Sequence, residues 1–212
     1  MIDILRRCRI APDLDVGTID KNTESSALVR ELNTLTALCF GKEVPLAETE
    51  ERFVHSDVVQ LLLHGKEVVG YAFNDRLQLV GHPVNYFSSC FVHPFHRGGV
   101  YVPFNHARYK EIPVDVVLTR TQNPRVYAGF ARFCQEGDFV LYPNATGEVG
   151  EESRAIANAF APGCGDDQVC RGIYGRELMA DTPKADGSIA QLFESLVPEQ
   201  GDAMVLVGIK KN

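Results

Sequence analysis

The chain has 212 residues, 45% of them hydrophobic, enough to bury one substantial core or two small ones without cross-links. Its 21 lysines and arginines stand against 28 aspartates and glutamates, and the resulting net charge of -7 repels polyphosphate and disfavours a general nucleic-acid role. No run reaches the ~18 apolar residues of a membrane span, and no apolar stretch follows the three arginines near the start, so a soluble, cytoplasmic protein is expected.

The elements follow from periodicity. In ESSALVRELNTLTALCF, Leu28, Leu32, Leu35 and Cys39 recur at helical spacing behind a Thr23 or Ser25 cap. PLAETEERF reads as a short second helix opened by Pro45, and DVVQLLLHGKEVVGYAFN as a hairpin whose apolar runs break at His64, Gly65 and Lys66. VNYFSSCFV is β-rich with aromatics on both faces, which predicts a central strand ending near Val92. A helix starting between Gly99 and Pro103 follows, with Val100, Phe104 and Ala107 on its buried side. VDVVLTR is another strand, after which Asn123 caps and Pro124 opens a helix striped with Val126, Tyr127, Phe130, Phe133 and Cys134. FVLYP and AMVLVGIK are further strands; between them helices are expected over 151–160 and 188–197, separated by a Gly- and Asp-rich loop. With no repeat and no long linker, the reading is a single α/β domain over 1–212, with a core over about 24–142 and a C-terminal elaboration over about 143–212.

The junction FVHPFHRGGVYVPF joins a strand end to two glycines and a helix start. Glycines let backbone N–H groups approach a ligand closely, and the first N–H groups of a helix are unpaired and favour negative charge. Arg97 adds a fixed, forked cation. Such a set can hold a pyrophosphate; a plain chain reversal with a solvated arginine uses the same residues.

Element order and the pattern Val92, Pro94, Arg97, Gly98, Gly99, with Asn123 after the next strand, resemble the GNAT superfamily of acyl-CoA-dependent N-acyltransferases. The likeness covers roughly residues 24–142. It implies a mixed, mostly antiparallel central sheet flanked by helices, with acetyl-CoA or another acyl-CoA as donor. It also implies that Phe91 and Val92 hold the pantetheine arm, that Arg97, Gly98, Gly99 and Val100 face the phosphates, and that Asn123 belongs to the cofactor site. The loop departs from the family's R-G-x-G-x-G or R-G-x-G-x-A, since Val100 follows the glycine pair. Where the family often carries a tyrosine to protonate the departing thiolate, this chain has Phe130, and Tyr127 one helical turn earlier is the candidate acid. His93 beside the expected thioester is the candidate base, with Asp75 and His82 flanking the way into the central strand.

Other constellations carry less. His93, His96 and Cys90 as metal ligands are scattered by strand-to-loop geometry, and no metal is expected. The six cysteines contain no C-x-x-C pair and fit a reducing compartment, with Cys164 and Cys170 read as incidental loop thiols. GCGDDQ lacks the order of a calcium loop, and Ser88 and Ser89 lack a nucleophile elbow. The functional expectation is an N-acyltransferase acting on a small-molecule amine. Its alternatives are a GNAT-like fold that binds a CoA-type ligand or protein partner with little catalysis, and an acyltransferase fed by an acyl carrier protein, for which Arg97, Arg108 and Lys110 form a modest basic landing site. Self-association as a homodimer is compatible with either.

Overall fold

The computed structural model describes residues 4–20 and 26–211, so the Thr23 and Ser25 caps lie outside the described residues. In chain order the elements are β1 (Ile4–Ala11), β2 (Leu14–Ile19), α1 (Ser26–Phe40), α2 (Leu46–His55), β3 (Val58–His64), β4 (Glu67–Leu79) and β5 (His82–Val92). They continue with α3 (Tyr101–Glu111), β6 (Val116–Thr121), α4 (Pro124–Glu136), β7 (Phe139–Tyr142), α5 (Glu151–Phe160), β8 (Val169–Cys170), α6 (Gly187–Phe193) and β9 (Ala203–Lys210). The described strands form one nine-stranded sheet in the order β1-β2-β3-β4-β5-β6-β9-β7, with β8 paired to β9. β5 and β6 run parallel, while the neighbours of β2, β3 and β9 run antiparallel, so the expected mixed, mostly antiparallel sheet flanked by helices is the observed one.

The contacts resolve into two compact units, Met1–Arg76 with Phe87–Pro113, and Leu77–Tyr86 with Val114–Asn212. In the first, β3 is buried on both faces. Leu61 and Leu63 pack with Leu28, Leu32 and Leu35 of α1, Phe53 of α2, and Tyr71 and Phe73 of β4. Leu62 faces the other way, against Val92, Val100, Phe104 and Ala107. The period-2 alternation of β3 thus serves two cores at once. Arg108 of α3 is 1% exposed; it donates from Nε to Asn74 Oδ1 (2.9 Å), from Nη1 to Asn105 Oδ1 (3.0 Å) and from Nη2 to the Phe73 carbonyl (2.8 Å), with its guanidinium 4.2 Å over the Phe87 ring. This corrects the reading of Arg108 as a surface landing residue, because its position four residues after Phe104 turns it inward.

In the second unit Val116 and Leu118 of β6, Val205 and Val207 of β9, and Val84 and Tyr86 of β5 pack under Ile156 and Ala157 of α5. Tyr127, Phe130, Phe133 and Cys134 of α4 are buried. Gly208 lets α4 come close, since a Cβ there would stand 2.7 Å from Val117 Cγ2 and 2.9 Å from Cys134 Sγ. The extension returns through β9, which lies between β6 and β7. Gln122, 2% exposed, ties it down: Nε2 donates to the carbonyl of Asp202 (2.9 Å), and Oε1 accepts from Leu178 N (2.9 Å). Cys164 and Cys170 are joined as a disulfide across an antiparallel bridge, not left as incidental thiols, because the chain turns back within six residues and brings their Cα atoms to 4.1 Å. The helix expected over 188–197 stops at Phe193. Val197 precedes a proline, which disfavours helical backbone, and its N–H is taken by the Asp202 carboxylate (3.0 Å).

Candidate functional site

β5 ends at Val92, a 3₁₀ turn spans Pro94–His96, and α3 begins at Tyr101, as the apolar spacing predicts. The strand end is held from three sides. Phe91 meets Phe40 edge-on (5.1 Å) and Tyr71 (5.2 Å). The His93 N–H donates to the Val69 carbonyl at 2.8 Å. The Val92 carbonyl accepts from Arg97 Nε (2.9 Å) and from the Cys39 thiol (3.4 Å). Gly70 is what allows this approach: its missing Cβ would stand 2.7 Å from the Phe91 oxygen.

Past the turn, Gly98 and Gly99 have φ of +99° and +81°, which L side chains rarely adopt. A Cβ at either would meet nothing within 4 Å, so the pair is required by backbone conformation and not by crowding. Arg97 is exposed and spends its Nε donor on Val92, leaving the other edge of its guanidinium for an anion. Val100 is buried against the α3 core and caps the helix without a side-chain hydrogen bond. Left-handed glycine backbone, a helix start and a cation are therefore adjacent, and these residues fit a phosphate-bearing group.

His93 Nδ1 accepts from Phe95 N (3.3 Å) and so caps the 3₁₀ turn; its ring lies 6.0 Å from that of His96, which in turn lies 5.1 Å from His64. Among the described residues no group of three or more His, Cys, Asp or Glu side chains could hold a metal ion. Burial raises the Cys39 thiol above its usual range, opposed by the hydrogen bond and charge of Arg97. Asp75, expected only to flank the way into the central strand, has its carboxyl raised above the usual range by burial, and its Oδ1 is buried without a hydrogen-bond partner.

The second unit holds the remaining expected residues. Asn123 caps α4, accepting from Arg125 N (2.9 Å), and its Nδ2 approaches Met179 Sδ (3.6 Å). Tyr127 is 1% exposed, donates its hydroxyl to the Pro143 carbonyl (3.1 Å) and meets Phe193 edge-on (6.0 Å). Burial pushes its phenol up to about 12. Phe130 is fully buried. Sequence reasoning missed Gln122 and Arg120. The signal for Arg120 was its place in VDVVLTR, in step with inward-facing Val116 and Leu118.

No protein-family model and no curated protein sequence matches the chain. Solved structures do. A GNAT family acetyltransferase from Elizabethkingia anophelis, with acetyl-CoA bound, superposes with a TM-score of 0.50 at 9% identity, covering 94% of this chain and 99% of that one. The GCN5-related glucosamine N-acetyltransferase region of a fungal multi-domain GH3 β-N-acetylglucosaminidase gives a TM-score of 0.50 at 13% identity, over 64% of this chain and 18% of that one. At such identities the likeness is one of fold. Among the described residues no helix is long and apolar enough to cross a membrane.

Proposed function

For this divergent chain with the GNAT fold, we propose an N-acyltransferase that moves an acetyl or related acyl group from an acyl-CoA thioester to an amine of a small molecule. One observation carries the reading: the end of β5 runs into two left-handed glycines, next to exposed Arg97 and the start of α3. In this reading Phe91 and Val92 line the pantetheine arm, and the amides of Gly98, Gly99 and Val100 meet the phosphates together with Arg97. Asn123 completes the cofactor set as the residue that fixes the start of α4. The bound acyl-CoA supplies an activated carbonyl; the amine forms the new C–N bond and the thiolate leaves. His93 takes the amine's proton at Nδ1, the nitrogen whose lone pair accepts from Phe95 N in the neutral ring, once that hydrogen bond is released. Tyr127 returns a proton to the thiolate, for which its hydroxyl must first leave Pro143.

Calorimetry with acetyl-CoA on the full chain tests the reading. Arg97→Ala should weaken binding about tenfold by removing charge-assisted hydrogen bonds, while thermal stability barely moves because the side chain is exposed. Unchanged affinity sinks the phosphate assignment. A second reading, a ligand-binding fold with little catalysis, is favoured by one fact: the Tyr127 hydroxyl is buried on a carbonyl and Phe130 has none to offer. Binding of acetyl-CoA without acylation of any amine selects it.

A further inference from the structure

On β6, Val116, Leu118 and Arg120 alternate onto the face under α5, and the first two are fully buried there. Arg120 is partly buried, with its guanidinium 4.6 Å over the Tyr174 ring and 6.0 Å from that of Phe160. Its Nε is buried with no hydrogen-bond partner, and among the described residues no carboxylate pairs with it. Attraction to ring faces does not use N–H donors, so the guanidinium keeps hydrogen-bonding capacity for a ligand. Tyr86, which pairs with Leu118 in the parallel ladder, packs against the same Phe160 at 4.7 Å, and its hydroxyl is likewise buried and unpartnered. The Tyr174 hydroxyl is spent on Arg120's own carbonyl (3.1 Å), which fixes that ring as a wall rather than a donor.

Two unused donors, a guanidinium and a phenol, thus share one ring on one face of the second unit. We propose that Arg120 and Tyr86 form a binding site, within the second unit, for the carboxylate of a small organic acid. A forked cation with one hydroxyl matches a planar monoanion; a dianionic phosphate calls for more positive charge than the site offers. The partial exposure of Arg120 leaves a way in.

The test is calorimetry on the full chain with paired probes: glycine and glycinamide, β-alanine and β-alaninamide, L-phenylalanine and L-phenylalaninamide. At least one acid should bind about tenfold or more tighter than its amide, the scale of one charge-assisted pair. That preference should vanish in Arg120→Gln and shrink in Tyr86→Phe, and persist in Arg125→Gln, a change at an exposed position of α4. Tyr86→Phe removes only a hydroxyl and keeps the test decisive should Arg120→Gln fail to fold. No acid preference in any pair, a preference that survives Arg120→Gln, or tighter competition by inorganic phosphate than by acetate would overturn the site.

Discussion

Gly70→Ala adds one methyl group where β4 passes close to the end of β5. In the β3–β4 ladder Leu62 pairs with Gly70 and Leu63 with Val68, so Val69 is an extra residue and the strand bulges there. The same bulge offers the Val69 carbonyl to the His93 N–H at 2.8 Å. The new Cβ would stand 2.7 Å from the Phe91 oxygen and 3.1 Å from Leu62 Cβ. A carbon and a carbonyl oxygen settle at ~3.3–3.6 Å, so backbone must move by more than half an ångström, and neither neighbour is the far end of a flexible side chain. Overpacking of this kind costs ~1–3 kcal/mol, and the upper half of that range applies because two strands share the strain. Urea unfolding with an unchanged slope would measure it. Gly99→Ala is the control: nothing lies within 4 Å of its Cβ, but φ is +81°, so the loss should be only ~1 kcal/mol of backbone strain. Gly70→Ala should also weaken acetyl-CoA binding, since it displaces Phe91 and Val92. A Gly70→Ala protein within about 0.5 kcal/mol of the parent, the ordinary range of neutral substitutions, would refute the close approach at the strand end.

Tyr127→Phe should lower turnover by about tenfold with little change in acyl-CoA affinity, and cost ~1 kcal/mol of stability through the Pro143 carbonyl it leaves. The phenol is held up to about 12 against its ordinary 10.0, so the unfolded chain ionises first and stability falls as pH rises from 10 to 12; urea midpoints across that range should fall less steeply in Tyr127→Phe. Gln122→Ala removes a buried amide that both donates and accepts and should cost ~2–4 kcal/mol by leaving the Asp202 carbonyl and the Leu178 N–H without partners; limited proteolysis should then cut the segment 143–202 first. Cys8 is exposed while burial raises Cys90 to about 11 and shields Cys134, so a bulky thiol reagent at neutral pH should label Cys8 before either; equal labelling would contradict the packing.

Legibility in the sequence tracked burial. The start of α4 was readable because an apolar stripe coincides with a capping signal, and Asn123 caps where that signal stood, whereas α5, behind Gly150 with no side-chain cap, was readable from its stripe alone. The end of β5 and the start of α3 were readable from the apolar spacing alone, since Val100 gives α3 no side-chain cap. The hairpin β1–β2 was not read at all. β1 is an edge strand whose residues are almost all exposed, and Arg6, Arg7 and Arg9 fill it with charge, so no alternation marks it. β2 carries Asp15, Gly17 and Thr18 among its apolar residues, which blurs the period. Strand order was likewise out of reach, because β9 finds its place by pairing with strands far away in sequence. For the site, composition of the loop was legible but not its hydrogen bonds: nothing in FVHPFHRGGV says that Arg97 turns back on Val92 or that His93 caps a 3₁₀ turn.

The place of β9 sets an order of events for the nascent chain. β7 is complete at Tyr142, yet the strand beside it in the sheet is β9, which begins at Ala203. β6 is equally waiting, with its Val116–Thr121 edge matched to residues 204–209. A ribosome adding about 5–20 residues per second therefore holds two unzipped strand edges open for seconds while the intervening segment is made. During that interval both edges are open to a neighbouring chain, because their own partner strand does not yet exist. Synthesis speed over that stretch, and any chaperone that shields β6 and β7, should govern the yield of folded protein more than the stability of the finished sheet does.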